Sequence, residues 1–161
     1  GNTITATLDT GDTVLLTAAA NGTTLVGTYT VGAGDNSNDL TVSSFSIGTV
    51  TDIAGNAMAS TNVPGTNIAS GSAIVIDTTV PTITSFTSTT SNGSYKSAGT
   101  VNITATASEA VVADNTITAT LDTSDNVTLT AADNGTTLVG TYTVSAGDNS
   151  NDLTVSSFSI G

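Results

Sequence analysis

The sequence predicts an all-β chain built as a two-layer sandwich, and three observations carry that expectation. Thr, Val and Ile dominate the composition, and their branched Cβ atoms favour pleated, half-buried backbone. Apolar residues alternate with period two along several segments, as in strands that turn one face inward. Clusters of Asp, Asn, Gly and Ser that form tight turns separate those segments.

From residue 82 onward the elements read as follows. Near 82–88 the apolar phase slips between Ile83 and Phe86. Over 100–108, Val101, Ile103, Ala105 and Ala107 share one face, with Asn102, Thr104 and Thr106 on the other. Ile117, Ala119 and Leu121 form the inward set of 116–121, and Val127, Leu129 and Ala131 that of 127–131. Over 137–144 the inward positions are Leu138, Gly140, Tyr142 and Val144. Over 152–160, Leu153 and Val155 face one way before Phe158 and Ile160 take over, and a β-bulge at Ser156-Ser157 explains the slip. Residues 72–77, with the apolar run Ala73-Ile74-Val75-Ile76, supply one more strand. Asn134-Gly135 between two strands is a hairpin signal. Seven short antiparallel strands within about 110 residues describe an immunoglobulin-like β-sandwich.

Residues 1–48 return at 114–161 with only six differences: Gly1/Asp114, Gly11/Ser124, Thr13/Asn126, Leu15/Thr128, Ala20/Asp133 and Gly32/Ser145. The Asn134-Gly135 signal thus recurs as Asn21-Gly22. An offset of 113 residues is an ordinary domain length. We therefore expect a tandem repeat with a 113-residue period, in which 1–77 is the C-terminal part of one repeat and 78–161 the N-terminal part of the next. The chain reads as a window of a longer array, and repeats of this kind build reach, spacing or a fibre.

Thirteen acidic residues face a single cation, Lys96, and the formal net charge is −12. That balance repels nucleic acid and anionic lipid and argues against both as partners. No apolar run approaches the roughly 18 residues needed for membrane insertion. Histidine and cysteine are absent, which removes the commonest general base, the thiolate nucleophile and any disulfide framework. Catalysis is therefore not expected. Acidic loops without counter-charges invite a divalent cation instead, and the Ser/Thr-rich surface fits a secreted or cell-surface, extracellular protein.

Three motifs sharpen the reading. Ile76-Asp77-Thr78-Thr79-Val80-Pro81 resembles the Asp-Thr-Thr-x-Pro linker of bacterial Ig-like tandem repeats, and Ser108-Glu109-Ala110-Val111 resembles their Ser-Glu-x-Val second strand. Asp52-Ile53-Ala54-Gly55-Asn56 is similar to their Asp-x-Ala-Gly-Asn loop before the last strand. The resemblance implies large secreted surface proteins, such as adhesin and biofilm stalks or extracellular fibres, often stiffened by calcium. It also implies that Asp77 lies near Glu109 and near the Asp-x-Ala-Gly-Asn loop of its own module, one period after Asp52 and Asn56.

Two sets of candidate calcium ligands follow. The junction set is Asp77, Glu109, Asp52 and Asn56, whose carboxylate and amide oxygens suit a hard cation. The loop set is Asp148 and Asp152 with their copies Asp35 and Asp39, where Asp, Ser and Asp alternate as in the opening of an EF-type loop, without its Gly and closing Glu. Asp122/Asp125 and Asp9/Asp12 read as ordinary hairpin material. The expected function is a structural repeat unit of a filament or stalk whose partners are neighbouring copies of the same repeat. A ligand-binding adhesin module and a fibre subunit assembled by strand exchange are the alternatives.

Overall fold

The computed structural model describes residues 1–20, 22–59 and 62–161, so the Asn21 half of the first turn signal lies outside the described residues. Two compact units divide the chain, Gly1–Thr79 and Val80–Gly161. The described residues contain no α-helix; their regular elements are β-strands and a single 3₁₀ turn, Ile68–Ser70.

In the first unit, β1 (Thr3–Leu8), β2 (Thr13–Ala18), β3 (Leu25–Val26) and β5 (Val42–Ile47) form an antiparallel sheet in the order β3-β2-β1-β5. A separate short ladder joins β4 (Asn36–Ser37) to β6 (Ile76–Asp77). Leu8, Val14 and Leu40 form the buried cluster, and Ile68 and Ile76 pack against it from the segment that follows the sheet.

The second unit holds β7 (Ile83–Thr87), β8 (Thr100–Val111), β9 (Thr116–Leu121), β10 (Asn126–Ala131), β11 (Gly135–Thr143) and β12 (Val155–Ile160). Their order is β12-β9-β10-β11-β8-β7, with every neighbouring pair antiparallel. Phe86 of β7 and Phe158 of β12, on the two edge strands, meet edge to face with ring centroids 5.6 Å apart. The sheet therefore rolls over on itself into a sandwich-like arrangement. Its interior is the alternating set that the sequence marks as inward: Ile103, Ala105, Ile117, Ala119, Leu121, Val127, Leu129, Ala131, Leu138 and Tyr142 are all buried. Both phase slips are present as register shifts, between Val155 and Ser157 and between Ile83 and Ser85.

Two local expectations change, and a third is met by a wider turn. Residues 72–77 form a strand only at Ile76–Asp77, because pairing with β4 covers just two positions. Ile74 still accepts from the Leu40 amide at 2.7 Å, while the Val75 side chain turns outward. Asn134-Gly135 does lie in the connection of an antiparallel hairpin, but a wide one: β10 and β11 first pair at Ala131 and Leu138, and Asn134 Oδ1 accepts from the Ala113 amide. The Phe158 and Ile160 side chains, expected to take over the inward face, are 43% and 80% exposed. Phe45, the counterpart of Phe158, is half-buried beside Met58, Val63 and Pro64.

The two copies of the repeated segment differ most at one edge. β11 is nine residues long because β8 pairs with it from Thr143↔Thr100 back to Thr137↔Thr106 and, past a register shift, at Gly135↔Val111. In the first unit the same sequence keeps only the two residues of β3 in strand, paired to β2 alone. Leu16 and Tyr29 there are half-buried, whereas their counterparts Leu129 and Tyr142 are buried.

All six differences between the copies fall at exposed positions in both. Position 11/124 is the second half of a tight turn, with φ +96° at Gly11 and +74° at Ser124. L-residues other than Gly are strained in that left-handed region. Replacing Ser124→Gly should raise stability by about 1 kcal/mol in denaturant unfolding. Gly140→Ala should lower it by about 1–3 kcal/mol, because overpacking forces backbone or rotamer shifts. A Cβ there would stand 2.4 Å from the Thr128 carbonyl oxygen and 2.6 Å from Leu129 Cδ2.

Candidate functional site

Polar groups gather at one end of each unit, where the β1–β2 and β9–β10 turns meet the loop before β5 or β12. The turn itself is closed by backbone bonds, Leu8 to Asp12 and Leu121 to Asp125, both 2.8 Å. That geometry presents the first turn aspartate to the loop. Asp9 accepts from Thr41 N at 2.9 Å and from the Ser37 hydroxyl at 2.5 Å. Asp122 repeats both bonds, to Thr154 N at 3.2 Å and the Ser150 hydroxyl at 2.6 Å. These bonds, the Ser hydroxyl first, hold the Asp9 and Asp122 carboxyls below the usual carboxylate value.

A tyrosine anchors the other side of the loop. The Tyr29 hydroxyl donates to Asp35 Oδ2 at 2.5 Å, and the Gly32 amide donates to the same oxygen at 2.6 Å. Tyr142 and the Ser145 amide do the same for Asp148, each at 2.5 Å. The Gly32/Ser145 difference keeps this network because only the backbone N–H takes part. The Tyr29 and Tyr142 phenols are pushed above their ordinary value by desolvation and by the adjoining aspartate. Asp35 and Asp148 are held below theirs, first by the tyrosine hydroxyl and then by the amide. Asp12 neighbours Asp35, which accepts from its carboxyl and repels its charged form, so the Asp12 carboxyl is raised. In the second copy, Tyr142 Oη lies 3.4 Å from Asp125 Oδ2 and 2.5 Å from Asp148 Oδ2, between the two carboxyls.

The sequence-marked ligands are distributed as follows. Asp35 turns to Tyr29, Ser37 to Asp9, and Asp39 Oδ1 accepts from the Ile74 amide at 3.3 Å, so the alternating Asp-Ser-Asp oxygens point to three different partners. Asp148 and Ser150 follow the same directions, and the Asp152 amide donates to the Ser150 hydroxyl oxygen. Asp52 and Asn56 are brought together: Asn56 N and Nδ2 each donate to one Asp52 oxygen at 2.8 Å, in a turn where Gly55 has φ +93°. Asp77 lies in the first unit, pairs with Asn36 in the β4–β6 ladder and accepts from Thr79 N at 3.0 Å. Glu109 lies on β8 of the second unit, with its Oε1 shielded from water and without a hydrogen-bond partner among the described residues. No group of three or more His, Cys, Asp or Glu able to hold a metal ion occurs among the described residues.

Sequence reasoning passed over the groups that organise this end. Asp9 and Asp122 look like turn residues, yet they tie the turn to a loop 28 or more positions away. Tyr29 and Tyr142 look like core residues. The signal was available: a Tyr at an inward strand position must still find a partner for its hydroxyl.

No protein-family model, curated protein or solved structure matches this chain.

The pH response follows from the shifts. Asp9, Asp35, Asp122 and Asp148 bind protons less readily folded than unfolded, so their contribution is present above the ordinary value of 3.8 and is lost as pH falls through the lowered folded values. Asp12 acts oppositely: its contribution is present at low pH and fades as pH rises through its raised value. Melting temperature should therefore fall with acidification below 3.8, and the acid limb of the curve should be shallower in Asp122→Asn. Thermal melts across the acid range in both proteins check this.

Proposed function

We propose that this chain is a structural repeat unit of a long secreted or cell-surface filament or adhesin stalk, built from immunoglobulin-like modules in tandem and stiffened by calcium at the module junctions. One observation carries the reading. The two copies of the repeated segment reproduce three strands at equivalent positions (β1/β9, β2/β10 and β5/β12) and the same Asp–Ser, Asp–amide and Tyr–Asp bonds, while all six differences sit on the surface. A uniform rod requires such repetition. A purpose-built binding or catalytic site does not, and the sequence offers neither histidine nor cysteine for chemistry.

Calcium fits the character of the donors. A hard cation takes 6–8 oxygens at 2.3–2.6 Å from carboxylates, amides and carbonyls. At the junctions, Asp77, Glu109, Asp52 and Asn56 would supply them. Glu109 brings a desolvated carboxylate oxygen with no other described partner, and such a group gains from a cation. In the loops, Asp35, Asp39, Asp148 and Asp152 would contribute. The carboxyl crowding that raises Asp12 beside Asp35 is the repulsion that a divalent ion would relieve. With Lys96 as the sole Lys or Arg, the chain has almost no cation of its own to do so. Bound calcium would cancel repulsion across the short link around Pro81 and fix the angle between modules.

The test is a calcium titration of a three-repeat chain, followed by thermal melting and small-angle scattering. Calcium should raise the melting temperature and lengthen the particle, chelator should reverse both, and strand content should stay constant. Unchanged melting and dimensions would remove calcium from the reading.

A further inference from the structure

Lys96 is the sole Lys or Arg of the chain, and no acidic residue lies between Asp77 and Glu109 in sequence to pair with it. It stands in the connection between β7 and β8, where residues 91–98 are all exposed. Among the described residues, the main chain of 91–97 is held by the Gly99 amide, which donates to the Lys96 carbonyl at 2.8 Å, and by the Tyr95 hydroxyl, which donates to the Ser91 carbonyl at 2.7 Å. Ala98 in the same turn has φ +72°, a left-handed conformation that an L-residue other than Gly holds under strain. Opening the turn therefore breaks one main-chain bond and releases that strain. Exposed loops of small polar residues are where folded chains are nicked.

Both flanks of the loop are anchored without its help. Before it, β7 pairs with β8 from Ile83↔Ala107 to Thr87↔Thr104, and Ser108 N donates to the Thr82 carbonyl at 2.8 Å. The Thr89 hydroxyl donates to Asn102 Oδ1 at 3.2 Å, and the Asn102 amide donates to the Thr90 hydroxyl oxygen at 2.8 Å. Ile83 and Phe86 pack on the core of the second unit, and Phe86 meets Phe158. After the loop, the Ala98 amide donates to the Val144 carbonyl at 2.8 Å and Val144 N to the Gly99 carbonyl at 2.9 Å. Pairing of β8 with β11 begins at once, at Thr100↔Thr143. The contacts that fix the two strands thus end at Thr90 and resume at Ala98, with Lys96 between them.

We propose that the peptide bond between Lys96 and Ser97 is a processing site for proteases of the trypsin class, and that the second unit stays whole after cleavage because β7 remains in the sheet. Such proteases read a Lys side chain with a carboxylate at the base of their primary pocket. As the amide bond breaks, water supplies a hydroxyl to the Lys96 carbonyl carbon and a hydrogen to Ser97 N, and nothing else is consumed. With no second Lys or Arg in these 161 residues, the reaction stops at one nick. Residues 1–96 and 97–161 then remain one particle, joined by the β7–β8 ladder and by the apolar contacts of Ile83 and Phe86. This processing goes beyond the structural-repeat reading and does not depend on it.

The experiment digests the full 161-residue chain with trypsin under native conditions. A denaturing gel and mass spectrometry should show only the fragments 1–96 and 97–161, while size-exclusion chromatography keeps a single peak at the elution volume of the uncut chain. Lys96→Gln, at an exposed position, should abolish cleavage without moving the melting temperature. Ser124→Gly, which stabilises the second unit, should leave the cleavage rate unchanged, because the site is reached without global unfolding. A native chain left intact by trypsin that cuts the urea-unfolded chain would overturn the processing site, as would a rate that falls several-fold with Ser124→Gly. Fragments that part on the native column would overturn the retention of β7. Each of these readouts is independent of calcium, so the calcium-stiffened rod stands or falls separately.

Discussion

Main-chain N–H and C=O groups at the edge of a sheet need partners, and the rest of this structure depends on where each unit finds them. The repeated segment places three strands alike in both units, where β1, β2 and β5 have the same bounds as β9, β10 and β12. The two units diverge only at what flanks those strands. In the second unit, β8 extends β11 to nine residues and seals Leu129 and Tyr142. In the first, β6 and the 3₁₀ turn seal Leu40 and Ser37 instead. Identical sequence thus gives a buried or a half-buried side chain according to its neighbour.

The polar end shows how a chain without cysteine or bound counter-charge keeps a long loop in place. Asp9 and Asp122 each accept one amide and one hydroxyl bond across the gap between turn and loop, and charge-assisted bonds of this kind are stronger than neutral ones. Tyr29 and Tyr142 reach from the core to the same loops and spend their hydroxyls on Asp35 and Asp148. Substitution between the copies respects these bonds. Gly32/Ser145 retains the donating amide, Gly11/Ser124 retains the left-handed turn, and Leu15/Thr128 changes an outward strand position that is 59% exposed as leucine.

The proposed function draws on this economy. A filament module gains from copies that fold alike and carry their variation outside the core. The −12 charge keeps such copies apart in solution unless a cation overcomes the repulsion.

The sequence by itself determined most strand positions, the inward faces of β8 to β11 and the two bulges. Period-two alternation of β-branched and small apolar residues has few other solutions, and a phase slip within it must be absorbed by an extra residue. It also determined the equivalence of the two copies. Only the tertiary structure decided that Asn134 in the β10–β11 hairpin also serves a distant amide, that Phe158 stays partly exposed against Phe86, and that the loop oxygens of Asp35, Ser37 and Asp39 diverge. Those outcomes depend on partners far away in sequence, and spacing along one strand carries no information about which distant group will stand opposite.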